Sequence, residues 1–269
     1  MKARYTRWMG LFLYAIATCA LAQAPAGTQF QPFEGQEGKD VVWVPSPQLL
    51  VDKMLDMAKV SPSDFLMDLG SGDGRTVISA AKRGVKALGI EYNPDMVALS
   101  RRNAAKEGMG EKARFLQADI FETDLSQATV ITLFLLPDLN LKLRPSILAL
   151  KPGTRIVSNS FRMGDWEPDE NAELGCSTYC TAHLWIVPAR VEGQWKSAQG
   201  DLAIKQSFQN IEGTLASGAK RVSISEGKLR GDEISFTAGG ARYRGRVVAN
   251  AIEGTVQSNG KTTAWKATR

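Results

Sequence analysis

The sequence predicts an α/β protein: an open, mostly parallel sheet with helices on both faces over residues 42–189, followed by a small all-β module over 190–269. Three observations predict it. From Asp64 onward, apolar strand-like runs alternate with helix-like stretches. A glycine-rich bend, Asp68-Leu-Gly-Ser-Gly-Asp-Gly74, stands where the first of those strands becomes a helix. From Arg190 the texture changes to short alternating strands separated by turn glycines. With 269 residues, 43% hydrophobic and 23% charged, the chain has room for one medium domain and one small one.

The first 22 residues stand apart. Lys2, Arg4 and Arg7 precede an apolar run from Trp8 to Ala22 that only Thr18 interrupts, and Ala20-Leu-Ala22 fits a signal-peptidase site. A cleaved signal peptide over 1–22 is therefore expected, with export to the periplasm. The run is short for a membrane span, so an uncleaved anchor is the lesser reading and no transmembrane span is expected after cleavage. The net charge of +5 includes those three cations, so the mature chain carries only +2 and gives no reason to expect a nucleic-acid partner. Residues 23–41, rich in Gln, Gly, Pro and Ala, read as a linker.

The core elements follow in order. Asp64–Gly70 is a buried strand and Thr76–Lys82 a helix that stops at Gly84. Lys86–Tyr92 is the second strand. Asn93-Pro94 opens a helix, with asparagine as N-cap and proline in the first turn, running to about Gly108. Ala113–Ile120 is the third strand, Ala128–Leu136 a very apolar fourth, and Leu139–Leu150 a helix closed by Lys151-Pro-Gly153. Arg155–Phe161 is the fifth strand. Asn171–Leu174 and Ala182–Pro188 form an antiparallel pair that finishes the sheet. In the C-terminal module Ser258-Asn-Gly-Lys261 marks a tight hairpin, and the pattern suits a meander or barrel. Cys176 and Cys180 either close a small disulfide loop or remain free thiols. His183 adds only a weak third ligand, so no metal is expected.

The chemistry concentrates at strand ends. Gly70, Gly72 and Gly74 let the backbone turn sharply and approach a ligand, flanked by Asp68 and Ser71. The dinucleotide pattern G-x-G-x-x-G would need glycine where Arg75 stands, which argues against a nicotinamide oxidoreductase. Glu91, followed by Tyr92, closes the second strand and is placed to accept ribose hydroxyls. Asp119 and Ile120 close the third, an acid for an exocyclic amine beside an apolar group for a flat base. Together they describe a nucleoside site that requires no phosphate.

On these residues the 42–189 segment resembles the class I S-adenosylmethionine-dependent methyltransferases. The first family motif matches Asp68–Gly74, the ribose acid Glu91, and the adenine acid Asp119 with Ile120 beside it. The resemblance implies S-adenosylmethionine as cofactor and a Rossmann-like seven-stranded sheet with a reversed last strand. Val44-Pro-Ser-Pro47, Asp68–Arg75, Gly89-Ile-Glu91 and Leu136-Pro137 are further similar to the protein-lysine N-methyltransferases that include the ATP synthase c-subunit enzyme. Leu135–Leu143 and Phe161–Trp166 resemble bacterial methyltransferases without an assigned acceptor. Leu136-Pro-Asp-Leu139 replaces the Asn/Asp-Pro-Pro-Tyr tetrapeptide of enzymes that methylate bases or glutamine.

The acceptor stays open between a protein lysine and a small molecule, and a non-catalytic exported nucleoside-binding protein is the alternative to an enzyme. Weak catalytic candidates are Asp138, as base or helix cap, Asn140 and Asn159. Ser160 is a candidate for the acceptor pocket, Phe161 and Trp166 for an aromatic wall, and Val44–Pro47 for a lid. Nothing in the sequence sets the oligomeric state.

Overall fold

The computed structural model describes residues 29–176 and 178–269. The expected signal peptide lies outside them. Among the described residues no helix is long and apolar enough to cross a membrane.

A short hairpin, β1 (Gln36–Glu37) and β2 (Val42–Trp43), leads into helix α1 (Gln48–Met57). The α/β core then runs β3 (Phe65–Leu69), α2 (Arg75–Lys82), β4 (Lys86–Glu91), α3 (Pro94–Lys106), β5 (Ala113–Gln117), β6 (Val130–Leu133), α4 (Pro137–Leu148) and β7 (Arg155–Asn159). The antiparallel pair β8 (Glu170–Glu173) and β9 (Thr181–Ile186) closes it. The strand order is β5-β4-β3-β6-β7-β9-β8. The first five strands are parallel, while β9 runs against both β7 and β8. This is the expected seven-stranded sheet with a reversed last strand. Chain direction along the sheet switches between β3 and β6, the place where open α/β sheets hold ligands beyond their carboxyl ends.

Both faces are covered. Leu50, Val51, Leu55, Val77, Ala81 and Val97 pack one face, and Leu69, Ile90, Ile131, Leu143, Ile147 and Trp185 the other. Asn93 caps α3 as its sequence predicts, accepting from the Asp95 amide at 2.9 Å with Pro94 in the first turn. Helix α4 begins two residues earlier than expected because Pro137 is set for its first turn, and the cap is Leu136. Asp138 is thus inside the first turn, where its charge suits the helix dipole, and is not the cap. Helix α1 has no counterpart in the sequence reading. Its buried face, Leu50, Val51, Met54 and Leu55, recurs at helical spacing behind Pro47.

The C-terminal module is a closed eight-stranded antiparallel barrel: β10 (Gly193–Ser197), β11 (Gly200–Ser207), β12 (Asn210–Ser217), β13 (Lys220–Arg230), β14 (Glu233–Ala238), β15 (Ala241–Val248), β16 (Ala251–Ser258) and β17 (Lys261–Thr268). Pairing of Lys196 with Thr268 and Ser197 with Ala267 closes it. Asn259 and Gly260 make the predicted tight turn, both at positive φ. Phe236 stacks on Tyr243 with centroids 4.7 Å apart, and Trp265 meets both edge-on, so side chains fill the interior.

The barrel docks through Trp166, which is fully buried, stacked on Phe208 of the β11–β12 turn at 5.8 Å and tilted against Trp185 at 6.2 Å. Gln209 donates to the Glu167 carbonyl at 2.7 Å, and the Ala189 amide donates to the Gly231 carbonyl at 2.8 Å. Trp166 is therefore a docking residue and not part of an acceptor wall. The stack on Phe208 turns it toward the barrel.

Candidate functional site

One cavity gathers the glycine bend, the tips of β4, β5 and β6, and the chain from Gln36 to Ser46 that folds over them. The bend is fixed from beneath. The Gly70 and Ser71 amides donate to the Ile90 carbonyl at 2.9 and 3.0 Å, and Gly74, at φ +82, caps α2. A Cβ at Gly74 would lie 2.7 Å from the Phe115 ring, and one at Gly72 2.6 Å from Trp43 Nε1. Glycine is thus required both for the turn and for the close approach of neighbours.

Asp68 is buried at the end of β3 and lines the cavity. Its carboxylate accepts from the Thr132 hydroxyl at 2.6 Å. Burial pushes its pKa up to about 7, against the pull of Thr132 and with help from the charges of Glu91 and Asp73. It has no cationic partner among the described residues, so a positively charged ligand in the cavity would favour its ionised form.

Glu91 is held by backbone on both sides. Its Oε2 accepts from the Gly72 amide at 3.0 Å and its Oε1 from the Asn93 amide at 2.9 Å. The carboxylate lies beside the bend with lone pairs to spare. At the tip of β5, Asp119 accepts from the Phe121 amide at 2.8 Å and pairs with Lys39, which reaches it from the hairpin. That pairing, then the Phe121 amide, holds the Asp119 carboxyl below its ordinary range. Lys39 also lies over the Tyr92 ring, 4.6 Å from its centroid. Ile120 lines the same wall. All nine residues assigned to cofactor binding from sequence, except Gly74, therefore face one cavity, and Gly74 shapes it from the helix side.

The N-terminal segment is more than the linker its composition suggests, because residues 36–41 line the cavity. Arg75, the residue that breaks the dinucleotide spacing, clasps Asp73 at 2.6 Å and donates to the Ser46 carbonyl at 2.8 Å. Asn159 donates to Ser46 Oγ at 3.0 Å. The expected lid at Val44–Pro47 is thereby tied to α2 and to the tip of β7.

The catalytic candidates fare differently. Asp138 is exposed and does not line the cavity. Asn140 is fully buried, and its amide donates to the Phe161 and Arg162 carbonyls, both at 3.3 Å. Asn159 is buried, spent on Ser46 and on the Ser160 hydroxyl at 2.8 Å. These contacts make both asparagines positioning residues for the loop after β7, and Ser160, which donates to Asn159, does not line the cavity. His183 is a strand residue, as expected, set between Asn171 and Ser160. Burial holds its pKa below the ordinary imidazole value. Among the described residues no group of three or more His, Cys, Asp or Glu side chains is arranged to hold a metal.

Phe161 does line the cavity, near the tips of β6 and β7, together with Phe134, Leu136, Leu139 and Tyr179. Phe134 and Tyr179 were missed because neither sits in a local motif. The disulfide Cys176–Cys180, one of the two options the spacing leaves open, encloses Tyr179. Lys39, Trp43 and Thr132 were likewise invisible to motif reading.

The family model for the ANTKMT methyltransferase domain matches residues 68–170. A protein-lysine N-methyltransferase of Saccharolobus islandicus is 44% identical over 152 residues, 55% of this chain and 94% of the relative. The lysine N-methyltransferases of the ATP synthase c-subunit from Xenopus laevis and Homo sapiens are 34% and 33% identical, over 53% and 51% of this chain. The chain spans 63% and 58% of their respective lengths. The crystal structure of an RNA methyltransferase from Salinibacter ruber in complex with S-adenosyl-L-homocysteine is 46% identical, with a TM-score of 0.53 over 55% of this chain and 96% of that one.

Proposed function

Because the chain belongs to the class I S-adenosylmethionine-dependent methyltransferases, we propose that it methylates the side-chain amine of a protein lysine. One observation carries the choice of acceptor: the 44% identity to a protein-lysine N-methyltransferase extends over 94% of that relative.

The residues present fit the cofactor. Asp68 supplies the buried acid for a cationic ligand, Glu91 would accept the ribose hydroxyls, and Asp119 with Ile120 would hold the adenine. When bound, S-adenosylmethionine supplies a sulfonium-activated methyl group. The chain itself aligns and excludes water. The segment from Gln36 to Ser46 covers one side of the cavity, and Phe134, Leu136 and Phe161 make its far end apolar. A lysine side chain is an ammonium at neutral pH, so it would first lose a proton to solvent; its freed lone pair would then form the nitrogen–carbon bond as the carbon–sulfur bond breaks, with that bond's electron pair left on sulfur. The nitrogen then carries the positive charge. Asp138, Asn140 and Asn159 do not line the cavity, so none of them is assigned as the group that takes that first proton.

The Salinibacter ruber relative favours a second reading, an RNA acceptor. Incubation with methyl-labelled cofactor and, separately, a lysine-rich protein and total RNA decides between them. Label on lysine, located by mass spectrometry, is expected. Label on RNA alone would overturn the lysine reading, and cofactor binding without any transfer would favour a binding protein.

The proposal extends to location. The charged and apolar leader, together with a disulfide, supports export to an oxidising compartment. N-terminal sequencing of the mature protein is expected to begin at Gln23.

A further inference from the structure

Three rings meet at the end of the cavity near the tips of β6 and β7. Phe134 follows β6, Phe161 follows β7, and Tyr179 arrives from the loop between β8 and β9. Their centroids are 5.1 Å apart for Phe134–Tyr179 and 6.1 Å for each of the other two pairs. At that spacing they touch and form one continuous wall. Two are aimed by backbone that strand geometry alone would not give. Ser160, at φ +58, turns the chain after β7 so that Phe161 enters the cavity, and its amide is secured by the Thr181 carbonyl at 2.7 Å. Tyr179 sits at φ +53, a conformation an aromatic residue rarely adopts, and it is 41% exposed. An exposed tyrosine held this way needs its loop held too. The Cys176–Cys180 disulfide closes that loop, and the Leu174 amide donates to the Cys180 carbonyl at 2.9 Å.

We infer that the Cys176–Cys180 loop delivers Tyr179 as the third ring of an acceptor subsite, with Phe134 and Phe161, that selects an alkylammonium side chain. The inference rests on the lysine reading above and deepens it. Aromatic faces attract cations that have little water to shed, and each added methyl makes an ammonium less hydrated. The wall therefore binds a partly methylated ammonium better than the unmodified one and keeps the same side chain at the site until loss of a proton to solvent frees its nitrogen for the next transfer. The disulfide acts as a positioning device for this step, and the cofactor's contacts at Glu91 and Asp119 do not involve it.

The test uses the full mature chain and two readouts. The probe is Nε-trimethyllysine amide, titrated by NMR in the presence of S-adenosylhomocysteine. Binding is expected, weakened about tenfold in Tyr179→Ala and retained in Tyr179→Phe. The double variant Cys176→Ser/Cys180→Ser, and the wild type under reductant, are expected to match Tyr179→Ala while S-adenosylhomocysteine affinity stays unchanged. With a lysine peptide, Tyr179→Ala is expected to raise KM and shift products from di- and trimethylated toward monomethylated lysine. Equal probe affinity in wild type and Tyr179→Ala would overturn the subsite even if lysine is methylated. Probe binding that depends on Tyr179, without transfer to lysine, would uphold the ammonium subsite and overturn the lysine reading. Transfer to RNA that depends on Tyr179, with no probe binding, would assign the wall to base stacking and overturn the inference.

Discussion

Asp68 places a carboxyl where neither water nor a counter-charge supports ionisation, so the empty protein keeps it largely protonated below about pH 7. Its folded pKa is raised above the unfolded value. Its contribution to stability is therefore full below the ordinary carboxylate range and is lost as pH rises through about 7. Binding a cationic cofactor reverses the balance by favouring the ionised form. S-adenosylmethionine affinity is expected to weaken as pH falls below about 7, and calorimetry in buffers of different ionisation enthalpy should detect proton release on binding. An affinity flat from pH 6 to 8 would contradict this. Glu91 and Asp119 belong to the same scale. Glu91→Ala frees two backbone amides and removes the ribose acceptor, so cofactor Kd is expected to rise by roughly 10- to 100-fold, and Asp119→Ala by about tenfold. These acids were legible in the sequence because strand ends of an open sheet share one rim. Asp138, Asn140 and Asn159 were not separable by that rule, since only tertiary contacts decide whether such a side chain faces the cavity or is spent on backbone. Tyr179 reaches the cavity from a loop between two edge strands, and its only sequence signal was the cysteine pair around it.

At the scale of elements, the hairpin and the glycine bend form one unit. Trp43 packs on Gly72, Lys39 reaches Asp119, and Arg75 and Asn159 hold Ser46. Gly72→Ala is expected to abolish measurable cofactor binding while leaving circular dichroism native. The new Cβ would meet Trp43 Nε1 at 2.6 Å and the residue sits at φ +52, yet the strain falls on the cover and not on the core. Residues 23–41 read as a linker because the stretch is rich in Gln, Gly, Pro and Ala, and 36–41 belong to it by composition. Their role comes from what they cover. Helix α1 went unread because its apolar face is short and begins directly behind the two prolines of Val44–Pro47. The alternating core elements were legible because each buries a long apolar run bounded by glycine, proline or asparagine.

For the whole molecule, the barrel raises the question of dependence. Over 152 residues the alignment accounts for 94% of the Saccharolobus islandicus relative, which leaves no room there for a barrel of this size. The cofactor residues all precede the barrel in sequence, from Lys39 to Ile120. The sheet is nevertheless fitted to its partner in this chain: Trp166 loses all solvent contact against Phe208 and Trp185, and Gln209 satisfies the Glu167 carbonyl. Trp166→Ala is expected to cost about 3–5 kcal/mol of stability in the intact chain, because Phe208 and Trp185 cannot both close the space it leaves. The same substitution should leave cofactor Kd within about twofold, since a stability change spends itself on unfolding and not on a cavity that stays folded at the assay temperature. Calorimetry distinguishes how the loss is distributed. With the interface intact the sheet and barrel are expected to melt in one transition, and Trp166→Ala to split it into two, the closed barrel melting last because it has no free edge from which to fray. A single unshifted transition in the variant would show that Trp166 contributes nothing to docking, and that other contacts, among them the Arg230–Glu170 pair and the Gln209–Glu167 and Ala189–Gly231 hydrogen bonds, hold the barrel.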